Sequence, residues 1–177
     1  MVQINAERLL HDIEELGRIG ELPADQGGGL DRRPFSAAER SARDFFAARA
    51  EEAGLAVMVD GAANLSARLN CGPANARTIM AGSHLDTVPH GGRYDGALGV
   101  LAALEALRTV REAGLELPVN LEAIAFTDEE GCLGGMTTGS RALVGNLSAD
   151  EAVRFIGAAS AYPDDFAAMQ SYMPSGL

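Results

Sequence analysis

A chain of 177 residues, 47% of them apolar, has the length for one domain with a sizeable core and is too short for two ordinary ones. Its net charge of −11 sets 25 acids against 14 basic residues, all of them arginine; so acidic a chain lacks the cations that replace counterions at nucleic-acid phosphates, and no nucleic-acid partner is expected. The absence of lysine also removes Schiff-base chemistry, Ser–Lys pairs and P-loop nucleotide binding.

No apolar run approaches the ~20 residues that span a bilayer, so no membrane partner is expected. Residues 1–8 lack the basic start and apolar core of a signal peptide, which makes a cytoplasmic location the expectation. Cys71 and Cys132 are far apart and form no CxxC pair. They read as free thiols rather than as a disulfide framework or a structural zinc site.

In chain order, Leu9, Ile13 and Leu16 stand at helical spacing and predict an amphipathic helix over residues 5–19. A glycine-rich loop follows, and Ser36-Ala37-Ala38-Glu39 predicts a capping box with a helix from Ala37 to a stop at Gly54. Residues 55–60 and 64–69 read as a strand pair around Gly61-Ala62-Ala63. Residues 78–81 read as a short buried strand and residues 119–127 as a longer one. Between these two, a helix begins just after Asp95, with Leu98, Leu101, Leu104, Leu107 and Val110 as its apolar face and Gly114 as its end. Strand, polar loop, helix, strand, polar loop, helix is a βαβ order, which implies parallel strands with a right-handed crossover and ligands at their carboxyl ends. Ser148-Ala149-Asp150-Glu151 is a second capping box, opening a short helix that ends at Gly157. Residues 158–177 show no period and read as a loosely ordered tail.

The chemistry-bearing residues fall in the two polar loops. His84 comes directly after a buried-strand pattern, with Asp86 two positions on; it is either a strand-end histidine bonded to backbone or a metal ligand whose second nitrogen is held by that carboxylate. Asp95, between Gly92 and Gly96, is either a helix cap or a carboxylate bridging two metal ions ~3.5–4 Å apart. Glu129 and Glu130 are either a solvated acidic pair or, if the strand's alternation carries on through them, two acids with different tasks. One would then bind metal and the other accept a proton from the attacking water. Cys132 would need His84 beside it to act as a nucleophile. Ser140 reads as a helix cap, and His11 and His90 as surface residues.

Gly82-Ser83-His84-Leu85-Asp86-Thr87-Val88-Pro89, Gly91-Gly92-Arg93-Tyr94-Asp95-Gly96 and Phe126-Thr127-Asp128-Glu129-Glu130-Gly131 together resemble the metal-site signatures of the M20-type metallohydrolases. Gly-Gly-Arg-Tyr-Asp-Gly and Gly139-Ser140-Arg141-Ala142-Leu143 favour the hydantoinase/carbamoylase branch, as do Arg33-Pro34-Phe35-Ser36 and Gly61-Ala62-Ala63-Asn64-Leu65. The resemblance covers roughly residues 4–147. It implies an α/β fold, the N-terminal part of a three-layer α/β/α domain like the zinc-dependent exopeptidases, with a mixed, largely parallel sheet. It also implies two divalent ions (Zn, Mn or Co), with His84 on one, Asp95 bridging both and Glu130 on the other. Glu129 would be the general base and Asp86 the orienting acid. The implied reaction is hydrolysis of a linear, non-peptide C–N bond in a small carbamoyl or ureido substrate.

Members of that family are more than twice as long. They carry further histidine ligands beyond the region matched, and a smaller domain that mediates homodimerisation and substrate binding. Residues 1–157 are therefore expected to form a partial catalytic domain, without the lid and dimerisation domain. Each metal would have two protein ligands here, where a catalytic zinc has three. The leading expectation is a truncated amidase of weak or no activity that is prone to self-association. A non-catalytic binding or scaffold protein and one half of a split enzyme are the alternatives.

Overall fold

Helix starts follow from local capping chemistry. The Asn5 side chain accepts the Arg8 N–H and opens α1 (Ala6–Leu16), which stops at Gly17 rather than at residue 19. Ser36 opens α2 (Ala37–Glu52) by accepting the Glu39 N–H at 3.2 Å. The expected reciprocal half of that box is not made: the Glu39 carboxylate is buried, where it accepts the Phe35 N–H and pairs with Arg43. At α5 (Ala149–Ala159) both halves of the Ser148–Glu151 box are present, and the helix runs two residues past Gly157. This computed structural model describes residues 2–162, 164 and 167. Most of the tail expected over 158–177 lies outside the described residues.

The strands are β1 (Ala56–Val59), β2 (Leu65–Leu69), β3 (Thr78–His84) and β4 (Asn120–Phe126). Asp60 turns the chain between β1 and β2, its carboxylate accepting the N–H groups of Ala62 and Asn64, and so short a turn makes the pair antiparallel. β3, α3 (Ala97–Glu112) and β4 form the expected βαβ unit, with β3 and β4 parallel from Thr78 opposite Asn120 to His84 opposite Phe126. The sheet order β1-β2-β4-β3 makes the sheet mixed, with one parallel pairing in three. β3 departs from the expected short buried strand. It continues to His84 and lies at the sheet edge, with Ile79 57% exposed.

One face of the sheet carries the core. Leu65, Ala67 and Leu69 of β2 stand opposite Ala125, Ala123 and Leu121 of β4; α2 and α3 pack on that face through Phe46, Val100, Leu101 and Leu104, and α1 joins the same core against α3 through Leu16. The expected apolar face of α3 is shifted: Leu98 is 45% exposed, while Ala97, Val100, Glu105 and Arg108 are buried. The two buried charges serve α1. Glu105 accepts from Arg8 and from the Asn5 N–H, and Arg108 donates to Asp12 at 2.6 Å. A second, smaller cluster of Phe35, Ala63, Phe155 and Ala159 fastens α5 to the segment before α2. α4 (Thr138–Leu143) packs at the end of β4. Among the described residues no helix is long and apolar enough to cross a membrane.

Candidate metal centre

Because β3 and β4 are parallel, their carboxyl ends lie on one side of the sheet. His84 is the last residue of β3, Asp95 immediately precedes the Gly96 cap of α3, and Glu130 lies on the turn after β4. Ligand atoms of these three residues lie within 4.8 Å of one another. His84 Nε2 is 3.9 Å from Asp95 Oδ1, and His84 Nδ1 is 2.9 Å from the carbonyl oxygen of Asp86. A carbonyl only accepts, so Nδ1 carries a proton, and in the neutral ring Nε2 presents its lone pair to Asp95. A lone pair aimed at a carboxylate is an arrangement that a cation between them would satisfy. Two donors each ~2.0–2.2 Å from a tetrahedral ion stand about 3.3–3.6 Å apart, so the His84–Asp95 gap would need to close by only a few tenths of an ångström. One imidazole and two carboxylates suit Zn, Mn or Co alike.

Asp86 does not take the expected hydrogen bond from His84: its own backbone carbonyl does, and its carboxylate stands 3.6 Å from Nδ1. The buried carboxylate instead accepts the N–H of Glu130 at 3.1 Å and that of Glu129 at 3.4 Å, tying the end of β3 to the turn after β4. Burial pushes the Asp86 carboxyl up to about 6, against the opposing pull of the Glu130 N–H and of His84.

Glu129 and Glu130 do have different surroundings, though not because strand alternation carries through them, since β4 ends at Phe126. Asp128, at φ 52, turns the chain, and its buried carboxylate gathers the N–H groups of Leu133 (3.0 Å) and Gly134 (2.7 Å) and the Thr138 hydroxyl (2.9 Å). Burial nonetheless pushes the Asp128 carboxyl above its ordinary range. Beyond it the Glu129 carboxylate is held by Ser140, whose N–H reaches Oε1 at 2.8 Å and whose hydroxyl reaches Oε2 at 2.9 Å. Ser140 is thus not a helix cap. It is the third residue of α4, and Thr137 holds the cap position without a side-chain bond.

Two glycines are required by this geometry. Gly96 has φ +65, and a Cβ there would stand 2.4 Å from the His84 carbonyl oxygen and 2.5 Å from its Nδ1. Gly139 lets α4 meet the end of β4: its N–H donates to Thr127 O at 2.7 Å, and a Cβ would fall 2.2 Å from Asn64 Oδ1. Gly92, by contrast, has open space around it. Asn64, Asp128 and Ser140 were quoted in the sequence motifs without the roles they have here. Asn64 accepts the Thr127 N–H and donates to Gly139 O, a link across 63 and 75 positions that no local spacing reveals.

Cys132 is exposed and free, and its thiol is pushed up by partial burial and by the charges of Asp128, Asp86, Glu130 and Asp31. It is therefore a protonated, poor nucleophile. Cys71 is half-buried and free. His11 and His90 are exposed, as expected, and His90 Nδ1 bonds the Gly28 carbonyl.

The profile of peptidase family M20/M25/M40 matches residues 80–169, half of the chain, including all three convergent donors. The chain belongs to this family. Within the M20/M25/M40 family its similarity is to the hydantoinase/carbamoylase branch. It is 44% identical over 146 residues to an N-carbamoyl-L-amino acid amidohydrolase of Geobacillus stearothermophilus, covering 81% of this chain and 35% of that protein. It is 37% identical over 150 residues to allantoate deiminase 2 of Glycine max, covering 82% and 30%. A crystal structure of a hydantoinase/carbamoylase family amidase from Burkholderia ambifaria superposes with a TM-score of 0.79 at 39% identity, covering 85% of this chain and 37% of that one. The chain spans about a third of the length of these curated relatives. The M20/M25/M40 family is metal-dependent, in keeping with the His84–Asp95–Glu130 cluster.

Proposed function

We propose that this chain is the metal-binding part of an amidohydrolase that cleaves linear, non-peptide C–N bonds in N-carbamoyl-amino acids or ureido compounds. The observation that carries the reading is the convergence of His84, Asp95 and Glu130, from three separate segments, in a family whose similar members bear amidohydrolase names. In this reading His84, Asp95 and Glu130 would hold two divalent ions (Zn, Mn or Co), with Asp95 serving both, His84 one and Glu130 the other. Such ions supply Lewis-acid polarisation of the substrate carbonyl and make the attacking water more acidic.

The chain's own residues do the remaining work. His84 keeps its proton on Nδ1 by bonding the Asp86 carbonyl, which leaves Nε2 free to coordinate. Asp86 fixes both glutamates through their backbone N–H groups. Glu129 accepts the proton of the attacking water and passes it to the leaving nitrogen. The free thiols of Cys71 and Cys132 support a cytoplasmic location. With two protein ligands per ion, residues 1–177 by themselves are expected to bind metal weakly and turn over little.

The test is metal content after equilibration with Zn²⁺, Mn²⁺ or Co²⁺, with hydrolysis of N-carbamoyl-L-amino acids and of allantoate measured alongside. Metal uptake should be detectable and should weaken at least about tenfold in His84→Ala and Glu130→Gln. Uptake that both substitutions leave unchanged would overturn the centre. Turnover of plain dipeptides in preference to carbamoyl compounds would overturn the substrate class.

A further inference from the structure

We infer that Ser140 is a positioning residue that holds Glu129 out of the metal's coordination shell and so reserves it for proton transfer. The inference rests on the proposed function, because it requires a metal at His84, Asp95 and Glu130. Glu129 and Glu130 are neighbours of identical chemistry on one turn, beside a cluster that offers each of two ions only two protein ligands. A free Glu129 carboxylate is an obvious further ligand in such a site. Yet the convergent group is His84, Asp95 and Glu130, without Glu129.

Ser140 accounts for the difference. It supplies two donors, one to each oxygen of Glu129, at 2.8 and 2.9 Å. A carboxylate has about four lone-pair sites, so one remains on each oxygen, enough to accept a proton. Ser140 cannot follow Glu129 towards a metal, because α4 is tied to the end of β4. The Gly139 N–H bonds Thr127 O at 2.7 Å, Asn64 donates to Gly139 O at 3.1 Å, and Thr138 bonds Asp128 at 2.9 Å. The restraint is mutual. The Ser140 N–H lies in the first turn of α4, where backbone donors have no partner within the helix, and Thr137 offers no side-chain cap. Glu129 fills that need.

The experiment is a cycle of Zn²⁺ dissociation constants, measured by competition with a chelating indicator, for the wild-type chain, Ser140→Ala, Glu129→Gln and the double variant, with Ser140→Thr as the conservative control. Glu129→Gln alone should leave Kd within about twofold, because Glu129 is not a ligand. Ser140→Ala releases Oε2 and should tighten zinc binding about fivefold, a modest change on the scale by which partners of metal ligands alter affinity. The double variant should return to the wild-type value, and Ser140→Thr, which keeps the hydroxyl, should match wild type. The effect of Glu129→Gln is read within each Ser140 background, so a stability loss common to the Ala forms cancels from it. Weakening of about tenfold by Glu129→Gln in the wild-type background would overturn the inference, since Glu129 would already be a ligand. Silence of Glu129→Gln in both backgrounds would overturn it too, since Ser140 would then restrain nothing. If no form takes up zinc, wild type included, the proposed function itself falls and this inference falls with it.

Discussion

Gly96→Ala puts the whole site geometry at risk through one added methyl group. Gly96 has φ +65 and ψ −56, a conformation that L side chains avoid, and holding such a residue costs about 1–3 kcal/mol. The new Cβ would also stand 2.4 Å from the His84 carbonyl oxygen and 2.5 Å from Nδ1, where contact distances are above 3 Å. Relieving that overlap by shifting the start of α3 or the end of β3 costs a further 1–3 kcal/mol or so. The combined loss is about 2–6 kcal/mol, which for a chain of this length lowers Tm by about 4–24 °C. The shift also moves His84 against Asp95, so zinc affinity should fall by about tenfold or more. Thermal unfolding followed by circular dichroism, with zinc titration of the folded variant, measures both effects. Gly92→Ala is the control: nothing lies within 4 Å of its Cβ position, and its Tm should stay within about 2 °C of wild type. A Gly96→Ala chain as stable as Gly92→Ala, with unaltered zinc affinity, would refute the argument.

Asp128→Ala leaves the part-buried Leu133 and Gly134 N–H groups without this acceptor and takes from the buried Thr138 hydroxyl its shorter bond, and should cost about 3 kcal/mol, whereas Asp128→Asn, which tolerates the positive φ and keeps one acceptor, should cost less than half of that; urea unfolding separates the two. Burial pushes the Glu105 carboxyl up, but hydrogen bonds from Arg8 and the Asn5 N–H, with the charges of Arg8 and Arg108, bring it below its ordinary range. A folded-state value below the unfolded one stabilises above the unfolded pKa, ~4.3, and is lost as pH falls through the folded value. Glu105→Gln should therefore cost about 3 kcal/mol at pH 7, with the gap to wild type closing as pH falls below about 4; a gap constant to acid would contradict the assignment. The β3 edge carries no charge or proline from Thr78 to Ser83, so the chain is expected to self-associate there, and Ile79→Lys should shift sedimentation velocity profiles towards the monomer.

The parts legible in the sequence were those set by neighbours in the chain. Ser36 and Ser148 cap helices through residues three positions on, and the apolar runs ending at Ala81 and Thr127 announce strands followed by polar turns. The βαβ unit, and with it the shared side for His84, Asp95 and Glu130, follows from that order. What stayed hidden depends on distant partners. Periodicity placed Leu98 in the core and missed Glu105 and Arg108, because the groups that neutralise those charges lie on α1. β3 looked buried because its composition is apolar, but strand order is a property of the whole sheet, and here it puts β3 at the edge. Ser140 resembled a helix cap, and only the fold brings its two donors to Glu129.

The bonds joining α1 to α3 have a consequence for how the molecule is made. Asn5 and Arg8 meet Glu105, and Asp12 meets Arg108, across 100, 97 and 96 positions. During synthesis at about 5–20 residues per second, the first helix leaves the ribosome some 5–20 s before the segment that will hold it. Until then Ile13 and Leu16 have no α3 to cover them, and α1 is too short to persist alone in water. Folding of this chain therefore waits on a late arrival: α1, made well before α3, can dock against it only after α3 has been translated.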